Sequence, residues 1–286
     1  MPPSSTRGSS SARRIVRRRF TYCSPVESAP LVVDPGFESD SLRVVAREGD
    51  VVVRRTAWWS PAVQGLLRHL EAVGFAESVR FLGLDADGNE RLSYIEGVSG
   101  PEAWRRVIPE AGLAAYARLL RRYHDAVADY APPADAVWMS AEGGLRPGEI
   151  VTHGDVGPWN TVWRGDEPVG LLDWDQAAPR PALHDVAYAL EYAVPFRSDA
   201  AAMAEIGFPA PPDRPARIRV FAEAYGLESL DGLVDAVIAE QEETLRANVA
   251  VAQRGLEPHA TWVRDGFVAE QERRIAWTRA NRHLFG

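Results

Sequence analysis

The chain has 286 residues, of which 46% are hydrophobic and 25% are charged, a composition typical of a soluble globular protein with one large or two modest domains. A single cysteine, Cys23, excludes an internal disulfide and a cysteine-based zinc cluster and favours a reducing compartment, so we expect a cytoplasmic protein. The sequence shows neither a signal peptide nor an apolar run of the roughly 20 residues that span a bilayer, so no membrane association is expected.

The charge is uneven along the chain. Six arginines precede the first acidic residue, Glu27, so the remaining chain carries a net charge of about −14, against −8 for the whole. Such an acidic body argues against a nucleic-acid partner and suits a cationic small molecule. All 32 basic residues are arginine, and the absence of lysine excludes Schiff-base chemistry and a lysine-type phosphate loop.

Residues 1–21 are predicted to be a disordered tail, because they are rich in serine, arginine and proline and poor in apolar residues. An arginine- and serine-rich start without acids is also typical of an organelle transit peptide. However, Pro2, Pro3 and Gly8 disfavour the amphipathic helix that such a peptide forms.

Residues 22–96 are predicted to form a small antiparallel sheet with one helix. Two pairs of β-rich runs are each separated by a turn sequence. The runs are Leu42–Ala46, Val51–Arg55, Phe81–Leu84 and Arg91–Ile95. Between the pairs, Ser60 and Pro61 have the sequence of a helix start, and apolar residues recur at helical spacing up to Gly74.

Residues 97–286 are predicted to be mostly helical. An apolar stripe from Leu113 to Val127 indicates a helix that ends before Pro132, with His124 at the edge of the stripe, where a packing role is expected. Further helices are predicted over 214–226, 229–248 and 265–283.

Residues 153–175 of this region carry polar residues in an order that suits a metal and phosphate site. Thr161–Trp163 and Val169–Leu172 form a predicted hairpin whose open end places Asn160 beside Asp173, with Asp155 in the loop before. An amide oxygen next to a carboxylate suits Mg²⁺ with bound phosphates, and a further carboxylate can orient an attacking hydroxyl and accept its proton. This is the layout of a phosphoryl-transfer site, although any single one of these residues could instead be an ordinary turn residue.

The same motifs resemble those of the aminoglycoside phosphotransferase family, whose fold is like that of protein kinases. The resemblance rests on His153-Gly154-Asp155, on Asn160 five residues later, and on Leu172-Asp173-Trp174. It implies an α+β, bilobal protein-kinase-like fold, with an antiparallel-sheet N-lobe over 22–96 and a mostly helical C-lobe over 97–286.

The resemblance also implies roles for individual residues. Asp155 would be the catalytic aspartate, and Asn160 and Asp173 would hold magnesium. Downstream, Pro181–Ala187 looks like the family's segment after the metal loop, in which Asp185 would hold the catalytic loop as a structural residue. His153 is expected to brace that loop through a backbone hydrogen bond, and Asp175 to assist a second magnesium or to face solvent.

In the N-lobe, the backbone of Ser93, Tyr94 and Ile95 would be the hinge that pairs with adenine. The lysine that kinase-like enzymes place on the third strand would fall at Arg54, with Arg55 as a rival. The helix carboxylate that normally pairs with that lysine would fall near Gln64, so this ion pair is expected to be lost.

Two further N-lobe departures concern loop and helix positions. The phosphate-covering loop would be Pro35–Asp40, which contains one glycine and two acids and also suits a solvated turn. Glu71 is too late in the helix to replace the missing carboxylate.

The resulting functional hypothesis is a kinase that uses ATP (or GTP) and Mg²⁺ to phosphorylate a hydroxyl group of a small molecule. A cationic acceptor such as an aminoglycoside or another antibiotic is one option, with Glu191, Asp199 and Glu270 as possible lining residues. The oligomeric state is left open.

Two alternatives remain at this stage. The first is a catalytically silent binding or immunity protein with a kinase-like fold, favoured by the missing lysine and the neutral Gln64. The second is a metal-dependent phosphohydrolase with a dimetal cluster. That cluster would be drawn from His153, Asp155, Asp173, Asp175, His184 and Asp185.

Overall fold

A computed structural model describes residues 45–286 of the chain. The predictions for the tail over 1–21, for the loop Pro35–Asp40 and for the start of the first strand at Leu42 lie outside the described residues.

The N-terminal part contains a four-stranded antiparallel sheet in the order β1-β2-β4-β3. The strands are β1 (Val45–Glu48), β2 (Val51–Arg54), β3 (Phe81–Leu84) and β4 (Glu90–Ser93). A tight turn joins β1 to β2, with Gly49 at a φ of 63° that disfavours side chains. In the register of β2 against β4, Arg54 lies directly opposite Glu90.

Helix α1 (Ser60–Ala72) lies between the two strand pairs in the sequence and contacts β3. Pro61 occupies its first turn, and the Ser60 hydroxyl accepts a hydrogen bond from the amide of Ala57. The face that repeats every three to four residues is buried, and it consists of Val63, Leu66, Leu67 and Leu70. Each of these side chains contributes about 1.5–3 kcal/mol of burial. The chain then leaves the helix through Gly74 at a φ of 77°.

The C-terminal part is mostly helical, as the sequence predicts. Its helices are α2 (Pro101–Arg105), α3 (Glu110–Val127), α4 (Leu183–Ala193), α5 (Asp199–Ala201), α6 (Arg214–Tyr225), α7 (Leu233–Gln253), α8 (His259–Arg264) and α9 (Phe267–Ala280). A π-helical turn, Ala202–Ile206, follows α5. Helix α3 packs on α6, and α4 packs on α7, so the apolar stripe of α3 lies in the core.

Two small antiparallel pairs are inserted between α3 and α4. Strand β5 (Ile150–Thr152) pairs with β8 (Ala178–Arg180), and β6 (Thr161–Arg164) pairs with β7 (Glu167–Leu171). The inner pair is the hairpin that the sequence predicts, and it is enclosed by the outer pair. This nesting brings two loops to one place, the loop between β5 and β6 and the loop after β7.

The largest differences from the predicted elements lie near the C-terminus. The predicted helix over 265–283 corresponds to α9, but α8 is a separate helix of six residues that was not predicted. Gly266, at a φ of 102°, separates the two helices. A helix this short contains less than two turns and therefore produces no periodic pattern. The predicted lobe boundary after residue 96 falls between β4 and α2 and stays a prediction.

Over residues 45–286, no helix combines the length and apolarity that crossing a membrane requires.

Candidate active site

The loop between β5 and β6 contains the first predicted site residues, and a glycine sets its course. Gly154 has a φ of 78°, and a Cβ there would lie 2.2 Å from the carbonyl oxygen of Gln176. The close approach fixes the loop against the segment after β7. Glycine at this position is therefore a requirement of the backbone geometry.

Asp185, in the first turn of α4, anchors this loop. Its carboxylate accepts hydrogen bonds from the amides of His153 at 2.8 Å and Gly154 at 2.9 Å. It also lies 3.1 Å from Nε2 of His124, whose Nδ1 is 2.6 Å from the hydroxyl of Tyr225. Burial alone would raise the pKa of Asp185, but the hydrogen bond and the nearby histidines hold it well below its usual range. The sequence assigned Asp185 a structural place, and its partners are those of an anchor.

His153 is a buried neutral imidazole with both ring nitrogens in use. Nε2 lies 3.0 Å from the carbonyl oxygen of Leu172, to which it donates, and Nδ1 accepts from the amide of Asp155. Burial lowers the pKa of His153 to about 4. A histidine whose two nitrogens bind the backbone serves as a brace between two loops, and it offers no lone pair to a metal.

The same geometry removes the basis of the dimetal hydrolase hypothesis. Among residues 45–286, no group of three or more His, Cys, Asp or Glu side chains is arranged to hold a metal ion. Asp185 binds two backbone amides and His124, and His153 binds the backbone.

Asp155 is partly buried, and both of its carboxylate oxygens accept hydrogen bonds. Oδ1 accepts from the hydroxyl of Tyr188 at 2.6 Å, and Oδ2 accepts from Nδ2 of Asn160 at 2.9 Å. Burial, followed by the charge of Asp173, raises the pKa of Asp155 to about 7, while its two hydrogen bonds act in the opposite direction. A carboxylate with this pKa is suited to accept a proton near neutral pH.

Replacing Tyr188 with phenylalanine is expected to raise the pKa of Asp155 above about 7, because a donor that favours the charged carboxylate is lost. Less than half of the Asp155 side chains would then be ionised at pH 7. Carbon-13 NMR of the carboxylate across a pH titration measures this. Tyr192→Phe is the matched control, since Tyr192 packs against Tyr188 with ring centroids 5.0 Å apart. An equal pKa rise in both variants would contradict the role given to the Tyr188 hydroxyl.

Asn160 and Asp173 lie beside each other at the open end of the β6–β7 hairpin. The carbonyl of Asn160 accepts from the amide of Leu172 at 2.8 Å, directly before Asp173. Nδ2 of Asn160 donates to Asp155, so Oδ1 of Asn160 points away from Asp155. Asp173 is exposed and has a φ of 61°, and within residues 45–286 it is the one non-glycine residue with positive φ. Backbone strain of this kind costs about 1–3 kcal/mol and marks functional sites. An amide oxygen and an exposed carboxylate are hard oxygen donors that fit Mg²⁺.

Arg54 reaches this site from the sheet. It is 8% exposed, and its Nε lies 2.9 Å from Oε2 of Glu90 and its Nη1 3.2 Å from Oδ1 of Asp175. Burial alone would lower the pKa of Arg54, but Asp175, Glu90 and Asp173 raise it above its ordinary value. Arg55 is exposed, so Arg54 is the arginine that faces the site.

The expected loss of the N-lobe ion pair is wrong. Gln64 of α1 is neutral, as the sequence shows, but the carboxylate comes from the opposite strand position, Glu90. Nε2 of Gln64 donates to Oε1 of Glu90 at 2.9 Å, while Arg54 binds Oε2 of the same carboxylate. Asp175 does not face bulk solvent either, since it forms an ion pair with Arg54.

The predicted hinge begins at the last residue of β4, Ser93, and continues through Tyr94 and Ile95. The amide of Ser93 donates to the carbonyl of Arg80, and the amide of Tyr94 donates to the carbonyl of Asp50. These two amides are therefore already used within the protein. The side chain of Ile95 lies against Gly170 of β7.

The predicted acceptor-lining acids are all paired with arginines. Glu191 binds Arg274 at 3.3 Å, Asp199 binds Arg214 at 2.9 Å, and Glu270 binds Arg273 at 2.5 Å. A cavity of about 680 Å³ lies beside the hinge and α3, and none of Arg54, Asp155, Asn160 or Asp173 lines it.

Sequence reasoning missed two residues of the site, Glu90 and Tyr188. It named His124 with a packing role but not its contact with Asp185. Glu90 is far in sequence from every motif, and only the β2–β4 register reveals it. Tyr188 lies on α4 three residues after Asp185. Residues three or four apart lie on the same face of a helix, so the sequence could have predicted that Tyr188 faces the site together with Asp185.

Comparison with known proteins adds the following findings. The profile of the phosphotransferase enzyme family, APH, matches residues 131–221. A trifolitoxin immunity protein of Rhizobium leguminosarum bv. trifolii is 39% identical over 202 residues, which cover 68% of this chain and 75% of that protein.

Two solved structures share the fold. The GDP complex of an aminoglycoside 2'-phosphotransferase IIIa mutant has a TM-score of 0.50 at 14% identity and covers 87% of this chain and 94% of its own. A complex of an amicoumacin kinase with AMP-PNP and Ca²⁺ has a TM-score of 0.50 at 10% identity and covers 84% and 88%. The predicted bilobal kinase-like α+β fold is thereby confirmed.

Proposed function

Since this chain belongs to the APH family of phosphotransferase enzymes, we propose that it transfers the γ-phosphoryl group of ATP or GTP to a hydroxyl group of a small molecule. The observation that supports this most directly is the cluster of Asp155, Asn160 and Asp173. It combines a carboxylate whose pKa of about 7 suits a base with two oxygen donors that suit Mg²⁺.

In the proposed reaction, a carboxylate oxygen of Asp155 accepts a hydrogen bond from the acceptor hydroxyl and directs its oxygen towards the γ-phosphorus. The new P–O bond forms as the bond to the β–γ bridging oxygen breaks, and the hydroxyl proton passes to Asp155. The acceptor hydroxyl competes with Tyr188 for Oδ1, since Oδ2 is held by Asn160.

Asn160 and Asp173 would hold Mg²⁺, which supplies positive charge to the transferring phosphates when bound. Arg54 would add a guanidinium on the sheet side, and a planar guanidinium can bind two phosphate oxygens. Among the three predicted hinge residues, Ile95 would be the one whose amide donates to a purine base, because the amides of Ser93 and Tyr94 donate within the protein.

For the acceptor, we propose a hydroxylated small molecule that carries amines, as many antibiotics do. The acidic balance of the chain supports this class. The structural neighbours bear the names of an aminoglycoside phosphotransferase and an amicoumacin kinase. The cytoplasm, where nucleoside triphosphates are abundant, is the proposed compartment.

A second candidate is favoured by the relative that is named an immunity protein. In this case the chain would protect by binding a toxic molecule at the same site, without turnover. The two candidates differ in whether a nucleotide is consumed.

The experiment is a calorimetric titration of ATP and of GTP with and without Mg²⁺, followed by measurement of ADP or GDP release with a panel of aminoglycosides and other hydroxylated amines. Magnesium-dependent binding and acceptor-stimulated release support the kinase. Asp173→Asn is expected to weaken metal-dependent nucleotide binding by at least roughly tenfold, because a charged oxygen ligand is lost.

Asp166→Asn is the matched control, since Asp166 lies in the turn at the far end of the same hairpin and its side chain is fully exposed. It is expected to bind nucleotide like the unmodified chain. Binding without release for every acceptor would favour the immunity candidate, and no nucleotide binding at all would refute the kinase.

A further inference from the structure

The carboxylate that pairs with Arg54 comes from the sheet and not from the helix. In protein kinases, the phosphate-binding lysine of the sheet pairs with a glutamate of the N-lobe helix, and the position of that helix controls activity. Here the helix position holds Gln64, and the acid is Glu90 at the start of β4.

The register of β2 against β4 brings Arg54 and Glu90 together. Arg54 and Glu90 are directly opposite each other on the neighbouring strands β2 and β4, and their side chains are 9% and 0% exposed. Arg54 is thus held by a partner that moves with its own sheet. Gln64 of α1 donates to the other oxygen of Glu90, so the helix and Arg54 bind the same carboxylate from two sides.

The guanidinium of Arg54 forms ion pairs with one residue of the sheet and one residue of the C-terminal part. Its Nε binds Glu90 of the sheet, and Nη1 reaches Asp175 in the turn after β7, two residues beyond Asp173. Fixing Nε in this way directs the Nη groups towards the loop where the phosphates would lie. A guanidinium without the Glu90 contact has several rotamers available, and ordering them again on binding costs free energy.

We infer that Glu90 is the positioning residue for Arg54 and that this arrangement makes the phosphate-binding cation independent of the position of helix α1. The inference rests on the proposed function, because it assigns Arg54 to nucleotide phosphates. It makes Glu90, and not Gln64, the N-lobe side chain on which nucleotide affinity depends most.

The test compares Glu90→Gln with Gln64→Met by calorimetric titration of MgADP and MgATP and by thermal melting. Glu90→Gln keeps the size of the side chain but removes its charge, and we expect affinity for both nucleotides to fall roughly tenfold or more, because hydrogen bonds to charged groups are the strong ones. Gln64→Met removes only the contact from the helix, and we expect affinity to stay within about threefold. Equal losses in the two variants would overturn the inference, because Arg54 would then depend on the helix.

A double variant, Glu90→Gln with Gln64→Glu, separates positioning from folding if Glu90→Gln alone is unstable. It keeps the total charge and a chain of hydrogen bonds from Arg54 through residue 90 to residue 64, so we expect the melting temperature to recover. We expect nucleotide affinity to remain reduced, since the charged oxygen no longer contacts Arg54. Recovery of both quantities would overturn the inference.

The unmodified chain separates this inference from the proposed function. If it binds no nucleotide, the proposed function fails and the inference fails with it. If it binds nucleotide and Glu90→Gln binds equally well, only the role of Glu90 is refuted.

Discussion

Replacing Asp155 with asparagine is expected to lower kcat for acceptor phosphorylation by about 10²–10⁴-fold, the usual contribution of a general base. Asparagine has the same shape and can still accept from Asn160 and contact Tyr188, so the surrounding loop is retained. Binding of MgATP should change little, because Asp155 acts on the acceptor hydroxyl and not on the phosphates. The measurement is steady-state release of ADP or GDP with the acceptor that the panel identifies.

The same variant is expected to be more stable than the unmodified protein at pH 8. The pKa of Asp155 is about 7 in the folded protein and about 4 in an unfolded chain, so the folded state binds more protons between these values. The free energy of unfolding therefore falls as the pH rises from about 4 to about 7, by up to about 4 kcal/mol. Asparagine has no such ionisation, so its melting temperature should exceed that of the unmodified chain at pH 8 and approach it at pH 4.

An unchanged kcat would refute the catalytic role of Asp155. A lower melting temperature at pH 8 would instead show that the carboxylate is held by attractive contacts that outweigh its burial.

Asp185→Asn is expected to lower the free energy of unfolding by about 3 kcal/mol or more, the range for breaking a buried charged network. Two backbone amides and one imidazole converge on the two carboxylate oxygens. An asparagine amide group would point an N–H at one of these donors, so at least one donor would lose its partner. The loop that holds Asp155 should lose its order at the same time. Thermal melting and hydrogen exchange at the amides of His153 and Gly154 measure the two effects.

The pH dependence of this variant provides an independent check. The pKa of Asp185 is well below its usual range in the folded protein, so its contribution to stability is complete above the unfolded pKa of about 4 and is lost as the pH falls below it. The gap in stability between the unmodified chain and Asp185→Asn should therefore narrow under acidic conditions.

Asp213→Asn is a matched control for Asp185→Asn, because it makes the same chemical change at another helix start. The Asp213 side chain accepts from the amide of Ala216 at 3.0 Å on the surface, and asparagine caps helices equally well. A comparable loss in the free energy of unfolding for Asp213→Asn would mean that the hydrogen bonds around Asp185 stabilise the fold no more than a surface helix cap does.

The predictions from sequence were best where the chemistry is local. Asp155, Asn160 and Asp173 lie within a single hairpin and its flanking loops, so the turn sequence and the β pattern together place them. The role of each residue stays a prediction that the experiments above test. Asp185 follows soon after on α4, and the family resemblance of Pro181–Ala187 implied a structural role for it.

The sequence failed where two distant segments meet. Glu90 is 36 residues from Arg54, and their pairing depends on the strand register. A slip of one residue would move the side chain of Glu90 to the other face of the sheet. The hinge residues stay a prediction, and the hydrogen bond from the Tyr94 amide to Asp50 depends on how the β1–β2 turn approaches this segment. Such contacts follow from the packing of the whole sheet, and local propensity carries no information about them.

The presence of Arg54 in place of a lysine also has a consequence for detecting such proteins with chemical probes. Reagents that identify nucleotide-binding enzymes by transferring an acyl group to an amine beside the phosphates need a nucleophilic lysine. The guanidinium of Arg54 stays protonated and does not react in this way. If the site binds a nucleotide as proposed, chemical surveys based on acyl-phosphate nucleotides will therefore not label a lysine of this chain, because the sequence contains none.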